Sequence, residues 1–506
     1  MTRAASHNRI DAPRPTLWDV SGRRAHLIGI GGCGMSALAR MLRARGAHVA
    51  GSDLAESPVT ASLGAEGIAI TFDQQAGHLD DSCDLLIASA AVKPDHPEWL
   101  AAEARGIETL TYPEALGRCM LGRTGVAIAG THGKSTTAAM LGHALITAGI
   151  DPTVIVGATC PDLAPAGEPA TGFRLGNDTI ASGTREGEPG VLIAEACEFN
   201  RSFHNLHPRV GAITSVEADH LDIYGSLDEV VRAFAEFAQR IPAADRGGWL
   251  LIHHDRAHRR EVTAGLACEV ETIGFTPSAD WQVTFDQRSR RVGLLHHAKP
   301  VLDFIAPTPG IHMAMNAAYA AAIAIRLGAE PALVAGALAT FRGVDRRLQF
   351  LGEVPSSHSA PPIRVYDDYG HHPTEIDETL RALREAERPQ ERGGRLICVF
   401  QPHQHSRTRF FLEEFAQSFS QADVVIVPHI YFVRDGEAEK ARVGAPDLVD
   451  RLRTRGVRAM HLYPFEAIVE QLQNMCRPGD LLVVMGAGPV WQVARGFMEA
   501  ATPASA

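Results

Sequence analysis

The chain has 506 residues, of which 45% are hydrophobic and 21% charged, and its formal net charge is −11 at pH 7. This length predicts about three domains, and the acidic balance argues against a nucleic-acid-binding face and therefore against a nucleic-acid partner. The eight scattered cysteines form no C-x-x-C pair, the first 18 residues do not resemble a signal peptide, and no apolar run could insert in a membrane, so we expect a cytoplasmic protein without disulfides or a structural zinc site.

Short apolar runs alternate with helical patterns along most of the chain, which is typical of an α/β fold with largely parallel sheets. We predict three domains from this alternation. Residues 1–121 form a Rossmann-like domain, residues 122–341 a central P-loop domain with a mostly parallel sheet, and residues 342–506 a second Rossmann-like α/β domain.

The first domain opens with a predicted strand, His26–Ile28, a glycine-rich turn at residues 29–36 (GIGGCGMS) and a helix. The turn matches Gly-x-Gly-x-x-Gly, which lets a diphosphate approach the backbone at a helix N-terminus. A second strand, His48–Ala50, leads to Asp53, placed where a ribose-binding carboxylate would lie. Alone, this pattern indicates either dinucleotide binding or tight packing of a helix on a strand.

The second domain opens with the apolar run Val126–Ala129, followed by residues 130–136 (GTHGKST) and a helical pattern through Leu145. A glycine-rich turn between a strand and a helix leaves backbone N–H groups free to bind phosphate. Lys134 can reach the β- and γ-phosphates, and the Ser135 hydroxyl can bind Mg²⁺. The loop is shorter than the usual P-loop, and the alternative is a helix N-terminus with an exposed lysine.

The alternation of strands and helices continues to the C-terminus. Further strands are predicted at Leu85–Ala88, Val191–Ala194, Val210–Thr214, Arg364–Asp368, Leu396–Phe400, Val424–Val427 and Leu481–Met485. Loops are predicted at Pro161–Gly190 and Pro355–Pro362, and the tail Ala500–Ala506 is predicted to fray.

Carboxylate and imidazole side chains follow two strands of the second domain. Glu195 and Glu198 come after the first of these strands, and the string Glu217–Asp222 (EADHLD) comes after the second. Strand-end oxygens and an imidazole beside a P-loop can bind Mg²⁺ directly or through water. Glu195 and His220 are therefore the predicted metal ligands, together with Ser135.

Two strand-end segments and an arginine pair stand out in the third domain. Residues 367–375 (DDYGHHPTE) end a strand and enter a helix, and His403–Arg407 follow the next strand. Such loops bind ligands in open α/β sheets, and these could hold a carboxylate or an incoming amine. Arg346 and Arg347 lie where the second domain passes into the third and could reach a γ-phosphate on closure. The alternative is that they form inter-domain salt bridges.

Two phosphate-binding turns in one chain favour a nucleotide-diphosphate substrate that is used in an ATP-driven step. A nicotinamide-dependent dehydrogenase would leave the P-loop and the Glu195/His220 cluster without a role. A non-catalytic, nucleotide-gated regulator would bind ATP without turnover, and Lys134, Glu195, His220 and Arg347 argue against it.

These motifs, in this order, resemble those of the Mur ligases, the ATP-dependent amide-forming enzymes of peptidoglycan synthesis. Within the family they are most similar to the branch that joins L-alanine to UDP-N-acetylmuramate. Residues 310–316 resemble the segment that meets the adenine, and residues 400–408 (FQPHQHSRT) the loop that receives the amino acid. The string at 367–375 is the most specific to that branch.

The resemblance implies ATP and Mg²⁺ as cofactors and assigns roles to residues of this chain. The UDP-substrate-binding residues are Gly29, Gly31, Gly32, Gly34, Met35, Ser36, Asp53, Ser89 and Ala90. The ATP-binding residues are Gly130, Thr131, Gly133, Lys134, Ser135, Thr136, His312, Asn316, Arg346, Arg347 and Asp368. The amino-acid-binding residues are Tyr369, His371, His403 and Arg407, and the catalytic residues are Lys134, Glu195, His220, Arg347, His371 and His372.

The implied reaction proceeds through an acyl phosphate. The lactyl carboxylate attacks the γ-phosphorus, and the amine of alanine then displaces phosphate, with Lys134 and Arg347 stabilising developing charge. His371 or His372 would orient the amine or accept its proton. We expect a monomer or a weak homodimer.

The acceptor loop departs from the family pattern. Gln404 stands where the family usually has arginine, and His405 where it usually has an aromatic residue. The acceptor therefore stays open between L-alanine, glycine, L-serine and a tripeptide. The alternative function is that of the muropeptide-recycling ligase, which joins L-Ala-γ-D-Glu-diaminopimelate to the same nucleotide.

Overall fold

The computed structural model describes residues 16–75, 79–93, 95–355, 360–433 and 435–501. Three β-sheets follow one another along the chain, and each is accompanied by helices. This confirms the predicted three-domain α/β fold with mostly parallel sheets. The domain boundaries after residues 121 and 341 stay predictions.

The first sheet has five parallel strands. Its elements are β1 (Arg24–Ile28), α1 (Cys33–Ala44), β2 (His48–Ser52), α2 (Pro58–Ala65), β3 (Ala69–Thr71), β4 (Leu85–Ala88), α3 (Pro97–Ala104), β5 (Glu108–Thr111) and α4 (Tyr112–Met120). The strand order is β3-β2-β1-β4-β5, so the direction of winding reverses between β1 and β4. Ligands bind at this switch point in open α/β sheets, and the glycine-rich turn after β1 lies there.

The second sheet has ten strands. Its elements are β6 (Thr124–Ala129), α5 (Lys134–Thr147), β7 (Thr153–Cys160), β8 (Thr171–Arg174), β9 (Val191–Glu195), β10 (Val210–Ile213), α6 (Leu221–Tyr224), α7 (Leu227–Ala238), β11 (Trp249–His253), α8 (Arg259–Thr263), β12 (Glu269–Gly274), β13 (Trp281–Asp286), β14 (Arg291–His296), β15 (Lys299–Ile305), α9 (Ile311–Arg326) and α10 (Pro331–Ala339). The order is β15-β14-β13-β12-β11-β10-β6-β9-β7-β8, in which β13 to β7 are parallel and the outer strands antiparallel.

The central parallel strands are apolar and buried, because helices α5 and α9 cover one face of the sheet and α7 and α4 cover the other. Both helices are rich in alanine, so their backbones approach each other and the sheet closely. The hydroxyl of the buried Tyr319 donates a hydrogen bond of 2.8 Å to the carbonyl of Ile213 at the end of β10. This bond fixes α9 beside the strand ends that face the site.

The third sheet has six strands in the order β16-β17-β21-β18-β19-β20, all parallel except β16. Its elements are β16 (Gln349–Val354), β17 (Ile363–Asp368), α11 (Pro373–Glu387), β18 (Leu396–Phe400), α12 (His405–Phe410), α13 (Leu412–Ser418), β19 (Val424–Val427), α14 (Glu437–Lys440), α15 (Ala445–Thr454), β20 (Arg458–His461), α16 (Phe465–Met475), β21 (Leu481–Met485) and α17 (Trp491–Ala501). Strands β18, β19 and β21 are apolar and buried along their whole length, because helices cover the sheet.

The predicted loop Pro161–Gly190 is wrong in part. Within it, β8 pairs antiparallel with β7, and Phe173 packs against a buried cluster. The predicted fraying of the tail is also wrong at its start, because α17 continues to Ala501; residues 502–506 lie outside the described residues, as do 356–359 of the loop predicted at 355–362. Within the described residues, no helix combines the length and apolarity that a bilayer crossing requires.

The second domain packs closely against Gly117 of the first domain. This glycine lies in α4, and a methyl group there would clash with the backbone carbonyl of Asn205. Replacing a mid-helix glycine by alanine normally stabilises a helix by about 0.8–1 kcal/mol. We expect Gly117→Ala to reverse that sign and lower the free energy of unfolding by about 1–3 kcal/mol, the range for overpacking, measured by urea denaturation.

Gly336 provides the matched control. It lies in the middle of α10, is exposed, and has no atom within 4 Å of the position that a Cβ would take. We expect Gly336→Ala to raise stability or leave it unchanged. Equal effects of the two substitutions would contradict the packing of α4 on the second domain.

Candidate active site

The loop between β6 and α5 is shaped to bind phosphate. Gly133 has a φ of +81°, and a side chain there would clash with the amide oxygen of Asn316 on α9. Only glycine therefore lets the loop pack this closely while it turns. The loop ends at the N-terminus of α5, where the helix dipole favours an anion.

Lys134 places a cation in this loop. Its Nζ donates hydrogen bonds to the carbonyls of Gly130 (2.6 Å) and Thr131 (3.2 Å) and lies 2.8 Å from a carboxylate oxygen of Glu198. Burial opposes a charge on the lysine, but the carboxylate of Glu198 outweighs it and raises the pKa of Lys134 above its ordinary value. The lysine is therefore protonated at neutral pH.

The predicted metal ligands fall into two neighbouring groups. The Ser135 hydroxyl donates a 2.9 Å hydrogen bond to Glu195, whose same oxygen accepts one from the Gly157 N–H. His220 instead belongs to a group with Glu198 and Asp219, whose ligand atoms lie within 4.8 Å of one another. Ser135 and Glu195 offer the hard oxygen ligands that suit Mg²⁺.

Both groups face a cavity of about 280 Å³ that lies between the second and third domains. Its second-domain wall is formed by residues 131–136, Glu195, Cys197, Glu198, Phe199, Asp219 and His220, and its third-domain wall by Tyr369, His371, Glu375, His403, Gln404, Arg407 and Ala487, with Arg347 from the inter-domain segment. The predicted amino-acid-binding residues thus come together opposite the P-loop.

A second cavity, of about 360 Å³, lies on the other side of the P-loop. It is lined by the predicted ATP-binding residues Gly133, Thr136, His312, Asn316, Arg347 and Asp368. His253, Asp255, Arg256 and Phe275, which follow or end β11 and β12, also line it. Residues 132, 133, 136, 347 and 375 line both cavities, so the two cavities adjoin at the P-loop.

The two adjacent histidines of the third domain differ in their surroundings. His372 accepts a hydrogen bond from the N–H of Thr374 through Nδ1 and donates one to the carbonyl of Ala218 through Nε2 (3.1 Å), so both ring nitrogens have partners. His371 lines the 280 Å³ cavity, and its Nδ1 lies 3.2 Å from the carbonyl of Tyr369. Burial, followed by the charge of Arg407, lowers the pKa of His371 to about 3, so its ring is neutral at pH 7.

Ion pairs cross from the second domain to the third. His132 of the P-loop lies 3.3 Å from a carboxylate oxygen of Glu217 and 3.2 Å from one of Glu375 on α11. The buried guanidinium of Arg407 pairs with the buried carboxylate of Asp219. These pairs draw the acceptor loop towards the P-loop.

The ion pairs also shift the pKa values of the side chains that form them. Burial opposes protonation of His132, but hydrogen bonds with Glu217 and Glu375 outweigh it and raise its pKa to about 10. Burial likewise opposes ionisation of Glu217 and Asp219, yet His132 lowers the pKa of Glu217 to about 2 and Arg407 lowers that of Asp219. All these groups are charged at neutral pH, so the domains meet through opposite charges.

The remaining predicted residues lie at other places. The Arg346 guanidinium bonds to Asp367 (3.1 Å) and to the carbonyl of Gly486 (2.5 Å) and lines neither cavity, whereas the Arg347 guanidinium lies 4.7 Å from the centre of the Tyr369 ring. Of the two arginines, Arg347 is the one that lines both cavities.

The glycine-rich turn of the first domain lies beside Asp53 and Ser89. The Gly31 N–H donates a 2.7 Å hydrogen bond to Asp53, and Gly29 approaches the Ser89 side chain closely. Gly32 caps the N-terminus of α1, and Gly34 lies in the first turn of that helix. Met35 and Ser36 are buried, and Ala90 is exposed. Asp53 therefore holds the turn itself, besides any role towards a ribose.

The turn also lies close to the second domain's carboxylates. Burial, followed by the charge of Glu195, raises the pKa of the Cys33 thiol and of the Tyr112 hydroxyl. The turn and the start of α4 therefore lie near the end of β9 that carries Glu195.

Sequence reasoning missed several residues that form the site. His132 lies inside the P-loop motif, Glu198 follows Glu195, and Glu217 and Asp219 belong to the acidic string at residues 217–222. Their residue types and positions could therefore have indicated that they belong to the site. The pairing of His132 with Glu375, 243 residues apart, gave no local signal.

Comparison with known proteins accounts for these three domains. Residues 24–124 match the model described as Mur ligase family, catalytic domain; residues 128–324 match the Mur ligase middle domain; and residues 346–488 match the Mur ligase, glutamate ligase domain. The chain belongs to the Mur ligase family. The resemblance inferred from the motifs is therefore confirmed.

Relatives of this Mur ligase share almost its whole length. A UDP-N-acetylmuramate–L-alanine ligase from Agathobacter rectalis is 35% identical over 479 residues, covering 94% of this chain and 97% of the relative. The protein of the same name from Kineococcus radiotolerans is 39% identical over 481 residues, covering 93% and 94%.

Solved structures show the same fold. The UDP-N-acetylmuramate–alanine ligase of Thermotoga maritima superposes with a TM-score of 0.72 at 26% identity, over 94% of this chain and 98% of that chain. A murein peptide ligase from Psychrobacter arcticus gives a TM-score of 0.68 at 23% identity, over 96% and 100%, and shows the fold alone.

The His132 cluster predicts a pH-dependent contribution to stability. Because folding raises the pKa of His132, this histidine stabilises the folded state fully below its unfolded pKa of 6.5, and the stabilisation is lost as the pH rises through about 10. Because folding lowers the pKa of Glu217, this carboxylate stabilises the folded state fully above its unfolded pKa of 4.5, and the stabilisation is lost as the pH falls through about 2. We expect wild type to exceed His132→Gln by about 1.5–3 kcal/mol in the free energy of unfolding between pH 4.5 and 6.5, and by progressively less towards pH 10.

Urea denaturation of both proteins across this pH range measures the difference. His48→Gln, which replaces an exposed histidine at the start of β2, is the control and should show no such trend. A difference between wild type and His132→Gln that is constant with pH would show that the ring contacts matter without the charge.

Proposed function

We propose that this Mur ligase uses ATP to join L-alanine to the lactyl carboxylate of UDP-N-acetylmuramate, forming ADP and phosphate. The observation that carries the proposal is the 280 Å³ cavity, which puts Lys134 and Glu195 opposite His371, His403 and Arg407. The substrates are those in the names of the relatives that match nearly all of the chain.

ATP would bind with its base in the 360 Å³ cavity and its phosphates on the P-loop. Lys134 and Arg347 both line the 280 Å³ cavity, so they would stabilise the charge that develops as the γ-phosphoryl group moves to the carboxylate. The product of that step is an acyl phosphate, whose phosphate is a far better leaving group than the oxide of a free carboxylate.

Mg²⁺ fits the oxygens of Ser135 and Glu195, which lie 2.9 Å apart beside the P-loop. When bound, the ion would neutralise charge on the phosphate oxygens. Glu198 pairs with Lys134 and also groups with Asp219 and His220, so these residues would link the lysine to a second oxygen-rich position.

The third domain would hold the amino acid. Arg407 lines the cavity and pairs with Asp219, and its fork of N–H donors could serve that carboxylate and the one of alanine together. His371 would orient the attacking amine, because a neutral ring accepts a hydrogen bond, while a pKa of about 3 makes it a weak base. The ion pairs that close the domains would keep water from the acyl phosphate.

Product analysis by mass spectrometry tests the function. Purified protein would receive ATP, Mg²⁺, UDP-N-acetylmuramate and equimolar L-alanine, glycine, L-serine and L-Ala-γ-D-Glu-diaminopimelate. We expect the alanine adduct, and we expect Lys134→Ala to abolish it because the phosphates lose their cation. Lys93→Ala, which removes an exposed lysine of the first domain, is the matched control and should retain activity.

The other outcomes separate the alternatives. An adduct with glycine, serine or the tripeptide would keep the ligase chemistry and overturn the alanine specificity. The absence of both ADP and an adduct would contradict the enzyme assignment and favour a nucleotide-gated regulator.

The two histidines give a further prediction. We expect His371→Gln to lower kcat with alanine by about 10²-fold or more, since that ring faces the acceptor cavity. His372→Asn, which can still cap α11, should cost less than about 10-fold. Steady-state kinetics at saturating ATP measure both, and the reverse order would move the amine contact to His372.

A further inference from the structure

Three metal-binding side chains meet on the second sheet, away from both cavities. Glu271 lies on β12, His296 ends β14, and His297 begins the two-residue turn that leads to β15. Their ligand atoms lie within 4.8 Å of one another, and none of the three lines the ATP or acceptor cavity.

The Glu271 carboxylate is buried and held in a fixed orientation. One oxygen accepts hydrogen bonds from the indole N–H groups of Trp249 (3.2 Å) and Trp281 (2.7 Å). Its other oxygen faces Nε2 of His296 at 3.0 Å and Nε2 of His297 at 3.9 Å. The tryptophans thus anchor one oxygen and present the second to two imidazoles.

The turn that carries His297 is strained. His297 and Ala298 have φ values of 46° and 62°, although neither is glycine or asparagine. Two-residue hairpin turns of this kind favour Asn-Gly. Histidine is enriched at positive φ whereas alanine is not, so the cost of about 1–3 kcal/mol for a residue in an unfavourable region falls mainly on Ala298. The result is that the rings of His296 and His297 lie 4.1 Å apart, and both point at Glu271.

An aromatic ring and a second carboxylate lie beside the two histidines. The ring of His296 stacks on Trp281 at 4.0 Å, and Nδ1 of His297 lies 3.9 Å from Asp280. The other oxygen of Asp280 is held by the backbone N–H and the hydroxyl of Thr272. A carboxylate behind a histidine fixes the ring and is typical of histidines that bind metals.

We propose that Glu271, His296 and His297 form a binding site for a divalent transition metal, best fitted to Zn²⁺. Two imidazole nitrogens and one carboxylate oxygen are a common protein ligand set for zinc, with a fourth position left for water. Zn–N and Zn–O bonds of about 2.0–2.2 Å place ligand atoms about 3.3 Å apart in a tetrahedron, so the three atoms, which lie within 4.8 Å of one another, would move closer together on binding. The ion would tie the β14–β15 hairpin to β12.

The scattering of the eight cysteines does not bear on this site, because its ligands include no cysteine. An ion pair or hydrogen bond between His296 and Glu271, without a metal, is the competing explanation of the contact. It leaves the strained turn and the approach of His297 without a purpose, and it predicts no metal binding at this position.

The test uses the full-length protein, stripped with EDTA and kept in saturating Mg²⁺. Co²⁺, which replaces Zn²⁺ in tetrahedral sites and absorbs visible light there, would be titrated while absorption and tryptophan fluorescence are recorded. We expect one site whose occupation gives the tetrahedral absorption and quenches the fluorescence. His297→Asn keeps a residue that tolerates positive φ, and should weaken this binding more than the about 10–100-fold typical of losing an outer partner.

His296→Gln is expected to have the same effect, and His48→Gln, at an exposed position of the first domain, should have none. Circular dichroism of each stripped variant checks that it is folded. Unchanged Co²⁺ absorption and quenching in folded His296→Gln and His297→Asn would overturn the proposal and place the ion at the acidic and histidine groups beside the P-loop. Absence of binding to wild type would overturn it in favour of the ion pair.

Discussion

The site depends on opposite charges that meet across the boundary between the second and third domains. His132 and Asp219 belong to the P-loop side, and Glu375 and Arg407 to the acceptor side. All four are largely buried, so an unpaired member would be costly. The pairs therefore favour the arrangement in which the P-loop and the acceptor loop line one cavity.

The ends of parallel strands place the polar side chains of the site at that boundary. Strands β6, β9, β10 and β11 are neighbours in the second sheet and end at the same edge. The P-loop, Glu195, the acidic string and Asp255 follow them in turn, so residues distant in sequence lie side by side. The third sheet faces them with the ends of β17 and β18, which carry the His371 and Arg407 loops.

The sequence predicted those elements whose structure depends on neighbouring residues alone. The strand, glycine turn and helix around Lys134 follow from their own residues, and so do the strands that end at Glu195 and Asp368. The edge strand β8 was missed because its four residues are only half buried and carry little periodicity. The contact of His132 with Glu375 could not be read, since it depends on how whole domains dock. The different surroundings of His371 and His372 likewise arise from the packing of α11 against Ala218.

Following one carboxylate oxygen into the released phosphate tests whether ligation proceeds by phosphorylation of the substrate carboxylate. UDP-N-acetylmuramate labelled with ¹⁸O in its lactyl carboxylate would be converted with ATP, Mg²⁺ and L-alanine, and the released phosphate analysed by mass spectrometry. An acyl phosphate leaves its bridging oxygen with phosphorus, so we expect one ¹⁸O in each phosphate formed. Amide formation accompanied by unlabelled phosphate would contradict it.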